Sequence, residues 1–349
     1  MKKRIRYLDE LKGFVIICVV LGHVLDGYIA SAYWPEQNNV LTMLFNLIYS
    51  YHMPLCFILS GYFYYLAYFT KDGELRDKKL NLHVADFISV YIFFSIIFWI
   101  SKLLMSGNVN SNVLVTDILW IWNKPLPSFW YLYVLIAFYC IFKFNWWSKV
   151  SPIWMLVFLF VASIISDFMT WSYGFEIKRI IFYAFFFYIG ICIKKSKQFI
   201  LFQRQILFLI GSLAIALCTV FSIRGVQINK VPFVNVVVAL GISILLWKLF
   251  EKLWDNQSDE KIGLHLLGEN MLEIYVTHIL LTAAIRIVLH KIKIEIPILC
   301  ILLNTLLSIC IPTMCSIIMK KIGIHDFIFR PFSFHFDKTK KLIDNKERI

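Results

Sequence analysis

The chain is 349 residues long, 60% hydrophobic and 17% aromatic, with 16% charged residues and a mean hydropathy of +0.72. That composition excludes a water-soluble globular domain, which has no means of hiding so much apolar surface. The formal net charge of +13 would suit a nucleic-acid partner in a soluble chain, but in a membrane protein basic residues gather in cytoplasmic loops, so no nucleic acid is expected.

In chain order, the first element runs from KKRIR into an apolar stretch that ends near Ala30, Ser31 and Ala32. This resembles a cleavable signal peptide, but His23 and Asp26 interrupt its apolar core, so an uncleaved first span is expected. Runs of roughly 20 apolar residues, enough to cross a bilayer, recur along the chain. They predict spans over residues 13–31, 40–69, 84–104, 128–144, 152–169, 178–193, 206–223, 232–250, 266–289 and 295–319. The fold class is therefore an all-α polytopic membrane protein of about ten transmembrane helices, forming one integral-membrane domain over 1–349 that is surrounded by membrane lipid.

An even number of spans puts both termini on one side. With the termini placed inside, the inner segments hold 26 of the 35 Lys and Arg residues and the outer segments hold the remaining nine. Basic residues are retained preferentially in cytoplasmic loops, so both ends are expected to be cytoplasmic. The outer segment 105–127 carries TDILWIWNKPLP, too short to span and rich in tryptophan. It reads as an interfacial helix, serving either as an aromatic anchor at the headgroups or as a platform on which a sugar stacks.

Eight cysteines, at positions 18, 56, 140, 192, 218, 300, 310 and 315, fall in apolar runs without a CxxC pair or a zinc spacing. They are expected to be small buried hydrophobes, and no metal is expected.

The polar residues inside the spans carry the functional signal. Lys12 and His23 are 11 residues apart, which on a helix comes to three turns plus about 20°, with a rise of roughly 16 Å. One stripe thus places Lys12 at the cytoplasmic mouth and His23 near the bilayer centre. A polar group at that depth is costly unless it bonds a neighbouring helix or faces a wet cavity. His52 and His278 fall at the same depth of the second and ninth spans, and three histidines at one level suggest a shared cavity. Asp26, one turn above His23, either orients the imidazole or is solvated at the outer end.

At these residues the sequence resembles the membrane-bound acyltransferase family 3, whose members often act as sugar or polysaccharide O-acetyltransferases. YLDELKGFVIICVVLGH supplies Leu8, Asp9, Leu11, Lys12, Gly13 and His23 for the family's basic residue followed, eleven positions on, by histidine. HMPLCFILSGYFY, His52 to Tyr64, is similar to the second-span pattern; Trp130, Tyr131 and Leu132 match a Trp-aromatic-Leu element; GENMLEIYVTH, Gly268 to His278, resembles the ninth-span pattern. The third span departs from the family: DKKLNLHVADFISVY has Lys78, Lys79, His83 and Asp86 where an arginine-rich start and a proline are usual.

The resemblance implies that acetyl-CoA is the acyl-donor co-substrate and that a carbohydrate or glycolipid is the acceptor, in the plasma membrane of a bacterium. His23 would be the general base, since a sugar hydroxyl needs its proton removed as it attacks a thioester. Asp26 and His52 would assist it, and Lys12, Lys78 and Lys79 would hold the CoA phosphates. His52, Ser60, Tyr275 and His278 are cavity candidates for stabilising the oxyanion; Ser60-Gly61 also reads as close helix packing, the commoner use of small residues between membrane helices. Direct transfer and an acyl-histidine intermediate both fit. The competing reading is a glycan or lipid transporter or flippase with a midplane histidine proton relay. A polysaccharide polymerase is disfavoured by the short outer segments.

Overall fold

The computed structural model describes residues 5–104, 114–127, 129–169, 176–195, 204–223, 231–254 and 263–346. Among them the chain is helical throughout, with a single isolated β-bridge between Phe69 and Leu75. In hydrocarbon every backbone N–H and C=O needs an internal partner, and a helix provides one within each apolar run.

The helices are α1 (Arg6–Ala30), α2 (Asn38–Tyr49), α3 (His52–Tyr68), α4 (Asp77–Leu104), α5 (Trp130–Lys143), α6 (Pro152–Phe168) and α7 (Ile177–Lys195). They continue as α8 (Arg204–Ile223), α9 (Pro232–Trp254), α10 (His265–Glu269), α11 (Met271–Lys291), α12 (Pro297–Ile322), α13 (His325–Phe329) and α14 (Pro331–Lys346). Among the described residues, six stretches are long and apolar enough to cross a membrane: α1, the α2–α3 pair, α4, α9, α11 and α12. Helices α5, α6, α7 and α8 occupy the other four predicted spans.

Two predicted spans are broken. The run 40–69 is interrupted at Ser50–Tyr51, because Pro54 has no N–H and is accommodated in the first turn of a new helix. The run 266–289 is interrupted at Asn270, which ends α10 and precedes α11. Among the described residues of the tryptophan-rich outer segment, Val115–Trp120 is a 3-10 helix in which the Leu114 N–H donates to Asp117 Oδ2 at 2.9 Å. Trp120 and Trp122 stack there and stay exposed; positions 105–113 lie outside the described residues.

The core is built on α1 and α3. Helix α3 lies directly on α7: a Cβ at Gly61 would strike the Phe187 carbonyl, and one at Gly190 the Ile58 carbonyl. Small residues permit such backbone approach between membrane helices. Helix α1 is enclosed by α2, α9, α10, α11 and α12, so the first apolar run is an integral part of the bundle.

Residue pairs fix helix directions. His23 beside Tyr49 and Cys18 beside Tyr51 make α1 and α2 antiparallel. His23 beside His278 and Gly27 against Arg286 make α1 and α11 parallel. Phe57 on Tyr183 and Tyr62 on Lys194 make α3 and α7 parallel.

Outward faces are apolar, with Ile92, Phe158 and Leu302 among the exposed side chains, as lipid contact requires. The cysteines divide. Cys18, Cys56, Cys192 and Cys300 are buried, whereas Cys140, Cys310 and Cys315 are exposed on outward helix faces, a correction to the expectation that all are buried. The Cys218 side chain falls outside the described residues.

Candidate active site

Helix α1 runs unbroken from Arg6 to Ala30, so Lys12 and His23 do share one stripe. The break between α2 and α3 shapes what meets His23. Tyr49 closes α2 with its hydroxyl 3.4 Å from His23 Nδ1, and its ring lies 4.7 Å from that of His52, which opens α3. The His52 Nδ1–H donates to the Ile48 carbonyl at 2.8 Å, across the same break.

From the other side, α11 brings His278, whose ring centroid lies 5.0 Å from that of His23. The His278 Nδ1–H donates to the Tyr275 carbonyl at 2.6 Å. Because a carbonyl only accepts, Nδ1 carries the hydrogen, and the neutral ring keeps its lone pair on Nε2. That nitrogen is buried without a hydrogen-bond partner among the described residues. His52 and His278 are sealed, at 2% and 0% exposure, while His23 is half-buried and reachable.

A second set extends the cluster. Ser60 Oγ donates to the Cys56 carbonyl at 2.8 Å, so at the 2.7 Å contact between Tyr131 and Ser60 the tyrosine is the donor. Tyr131 packs edge-on to Tyr275, which in turn packs against His278. The structure thus brings together His23, His52, Ser60, Tyr275 and His278. Among the described residues no group of His, Cys, Asp and Glu side chains is arranged to hold a metal ion.

Residues 5–317 match the family model described as an acyltransferase domain. The chain belongs to the family 3 acyltransferases. It is also 29% identical over 148 residues to nodulation protein NolL of Sinorhizobium fredii (strain NBRC 101917 / NGR234). That stretch is 40% of this chain and 37% of NolL, so the similarity spans well under half of the curated relative. No solved structure matches the chain.

The other predicted site residues of this family member lie apart from the histidines. Asp26 is exposed and faces Arg286 of α11, while the hydrogen bond of His23 goes to Tyr49. Lys12 is not a free cation: its Nζ is 2.6 Å from Asp9 Oδ1 and 4.5 Å from the centre of the Phe63 ring. Lys79 lies over Tyr68, five residues further along α3, a rise of about 8 Å. Lys78 lies over Phe336 of α14. Lys78 and Lys79 line a cleft of about 780 Å³ with Arg76, His83 and Arg330, all at the same end of the bundle as Lys12.

Sequence reasoning missed several residues. Tyr49 carried no motif, and only its place one turn before His52 could have marked it. Asp86, a departure from the family pattern, caps the start of α14. It accepts from the Phe332 N–H at 2.8 Å, the Ser333 N–H at 3.2 Å and the Ser333 hydroxyl at 2.5 Å. Helices α13 and α14 lie beyond the family match, and Asp86 ties them to α4. Glu273, inside the ninth-span motif, is buried against His325 Nε2 at 2.6 Å and Ser316 Oγ at 3.3 Å. Glu10 is fully buried and accepts from the Leu264 backbone N–H, which fixes the turn before α10 on the start of α1.

An apolar cavity of about 500 Å³ among α3, α6, α7 and α9, lined by Ile58, Phe160, Ile189 and Trp247, has Lys248 as its one titratable group among the described residues. Among the described residues it presents no histidine, cysteine or carboxylate.

Proposed function

We propose that the chain is a membrane O-acyltransferase that moves an acetyl group from cytosolic acetyl-CoA to a hydroxyl of a cell-envelope carbohydrate, a polysaccharide or glycolipid, in the bacterial plasma membrane. The observation that carries this reading is the half-buried His23 held between Tyr49 and His278 at mid-helix, on one stripe with Lys12.

His23 is the base. The proposal takes the tautomer in which Nδ1–H donates to the Tyr49 hydroxyl and Nε2 keeps the lone pair. That nitrogen takes the acceptor hydroxyl proton as the hydroxyl oxygen bonds to the thioester carbonyl carbon, the C–S bond breaks, and the imidazolium returns the proton to the departing thiolate. Lys12, Lys78 and Lys79 hold the phosphates of the donor, with Arg330 beside them; cations at one mouth suit a polyanion that must present its thioester deeper in the bundle. His52 holds Tyr49 in place, Asp26 belongs to the acceptor side, and Tyr275 is the proposed donor to the developing oxyanion, since His278 presents an acceptor lone pair on Nε2 and the Tyr131 hydroxyl donates to Ser60. Ser60 reads as a support for Tyr131, because its own hydrogen goes to the Cys56 carbonyl.

Ten spans with both ends inside support this arrangement. That threading requires spans one and nine to run the same way, as α1 and α11 do, and spans two and six likewise, as α3 and α7 do. The test is acetyl transfer from radiolabelled acetyl-CoA to cell-envelope glycan in membranes carrying the wild type or His23→Ala at matched expression. Incorporation is expected with the wild type and not with the variant. Equal labelling by both would remove His23 from the chemistry.

A further inference from the structure

At the end of α1 away from Lys12, the segment after Ala30 folds back onto α11 and encloses a cleft of about 750 Å³. Its floor is aromatic: Trp34 stacks on Tyr28 with ring centres 4.6 Å apart, and Tyr33 packs edge-on against both Trp34 and His290. Two bonds fix these rings. The Tyr33 hydroxyl is bonded to His290 Nδ1, and the Trp34 indole N–H donates to the Glu295 carbonyl at 3.1 Å.

The cleft is connected to the histidine cluster by sequence geometry. His278, Thr282, Arg286 and His290 recur at four-residue intervals, each turned about 40° from the one before, so they form a shallow spiral along α11 from the histidine cluster to the cleft; on α1, Gly27 lies one turn beyond His23. A Cβ at Gly27 would meet the Arg286 guanidinium, so the missing side chain makes the space that group occupies. Arg286 forms no hydrogen bond or ion pair among the described residues; Asp26 faces it without closing one, and Lys291 lines the same wall. A guanidinium kept half out of water and left without an anion is a ready fork for a carboxylate or phosphate.

We propose that this cleft is the acceptor subsite and that it takes an anionic glycosyl unit, its ring on Trp34 and its carboxylate or phosphate on Arg286. The assignment rests on the acyltransferase reading for the word acceptor, but not for the binding itself. Aromatic rings fixed at their polar ends give sugar rings a flat apolar surface, and Arg286 lies on the wall that leads down to His23.

Binding is measured by saturation-transfer NMR and thermophoresis on the full-length chain in detergent. The probes are a hexamer of galacturonic acid, a phosphorylated mannopentaose and neutral chitohexaose. Either anionic probe is expected to bind at least tenfold tighter than chitohexaose, and which of the two does so separates a carboxylate from a phosphate ligand. Arg286→Gln is expected to abolish that preference, Arg286→Lys to retain part of it, and Trp34→Ala to weaken all three probes. Size-exclusion elution shows whether each variant is folded. Equal affinity for anionic and neutral probes, or an unchanged preference in a folded Arg286→Gln, would overturn the proposal. Failure to bind acetyl-CoA, measured separately, would instead sink the acyltransferase reading and leave the sugar site standing.

Discussion

The imidazole rings of His23 and His278 lie 5.0 Å apart, centre to centre, although 255 positions separate them in the chain. One ring is reachable and bonded to Tyr49; the other is sealed, with Nδ1–H committed to a backbone carbonyl. This asymmetry is the reason for proposing His23 as the proton acceptor and His278 as its support. His23→Ala is expected to lower turnover by about 10²- to 10⁴-fold, the range typical of a lost general base. His278→Ala is expected to give a smaller loss. Initial rates of labelled acetyl transfer at matched expression check the order, and a larger loss for His278→Ala would reverse the assignment.

The Tyr49 hydroxyl lies 3.4 Å from His23 Nδ1, so its proposed role is to orient that ring. Tyr49→Phe keeps the ring that packs on His52 and removes only the hydroxyl, so kcat is expected to fall about tenfold, the low end of what a lost orienting partner costs, with KM for acetyl-CoA unchanged. A rise in KM with kcat intact would place Tyr49 in donor binding instead.

The donor end gives the opposite signature. Replacing Lys79 by Ala is expected to raise KM for acetyl-CoA several-fold with little change in kcat, as loss of binding common to ground and transition states does. The wild type should also gain thermal stability from acetyl-CoA, about 2.7 kcal/mol at a hundred times the dissociation constant. A transporter of glycan or lipid would show no such stabilisation.

Where α3 meets α7 there is no room for a side chain. Gly61→Ala places a Cβ against the Phe187 carbonyl and is expected to cost about 1–3 kcal/mol, as overpacking does. Thermal unfolding in detergent reads it. An unchanged midpoint would mean that the two helices separate easily, and that Gly61 is not a packing residue.

Asp86 accepts three hydrogen bonds at the start of α14. Asp86→Ala should cost about 1 kcal/mol as a lost helix cap and should release the C-terminal helix first. Limited proteolysis is expected to cut within 325–346 faster in the variant, while the rest of the bundle resists as before. Equal cleavage rates would show that other contacts hold α14.

Much of this protein was legible without coordinates, because hydrocarbon leaves the backbone few choices. Apolar length predicted helices in all ten runs, and the depth of His23, His52 and His278 within their runs predicted that they would meet. The spacing of Lys12 and His23 survives because α1 is uninterrupted. The helix expected in the tryptophan-rich outer segment is present as the short 3-10 helix Val115–Trp120, since apolar composition marks interfacial depth but not which helix the backbone adopts.

What the sequence could not supply was partnership. The α2–α3 break is foreshadowed by Pro54, but only packing shows that it sets Tyr49 on His23. Nothing local distinguishes Asp86, Glu273 or Glu10 from stray charges in apolar runs; each is tolerated because a distant segment brings it hydrogen-bond donors, the Phe332 and Ser333 amides, His325 and the Leu264 amide. The Lys12 ammonium likewise owes its place to Asp9 and the Phe63 ring. Hydropathy is summed along a chain, so one sequence fixes which segments enter the membrane; which polar groups face one another there depends on how helices cross, and only the tertiary structure sets that.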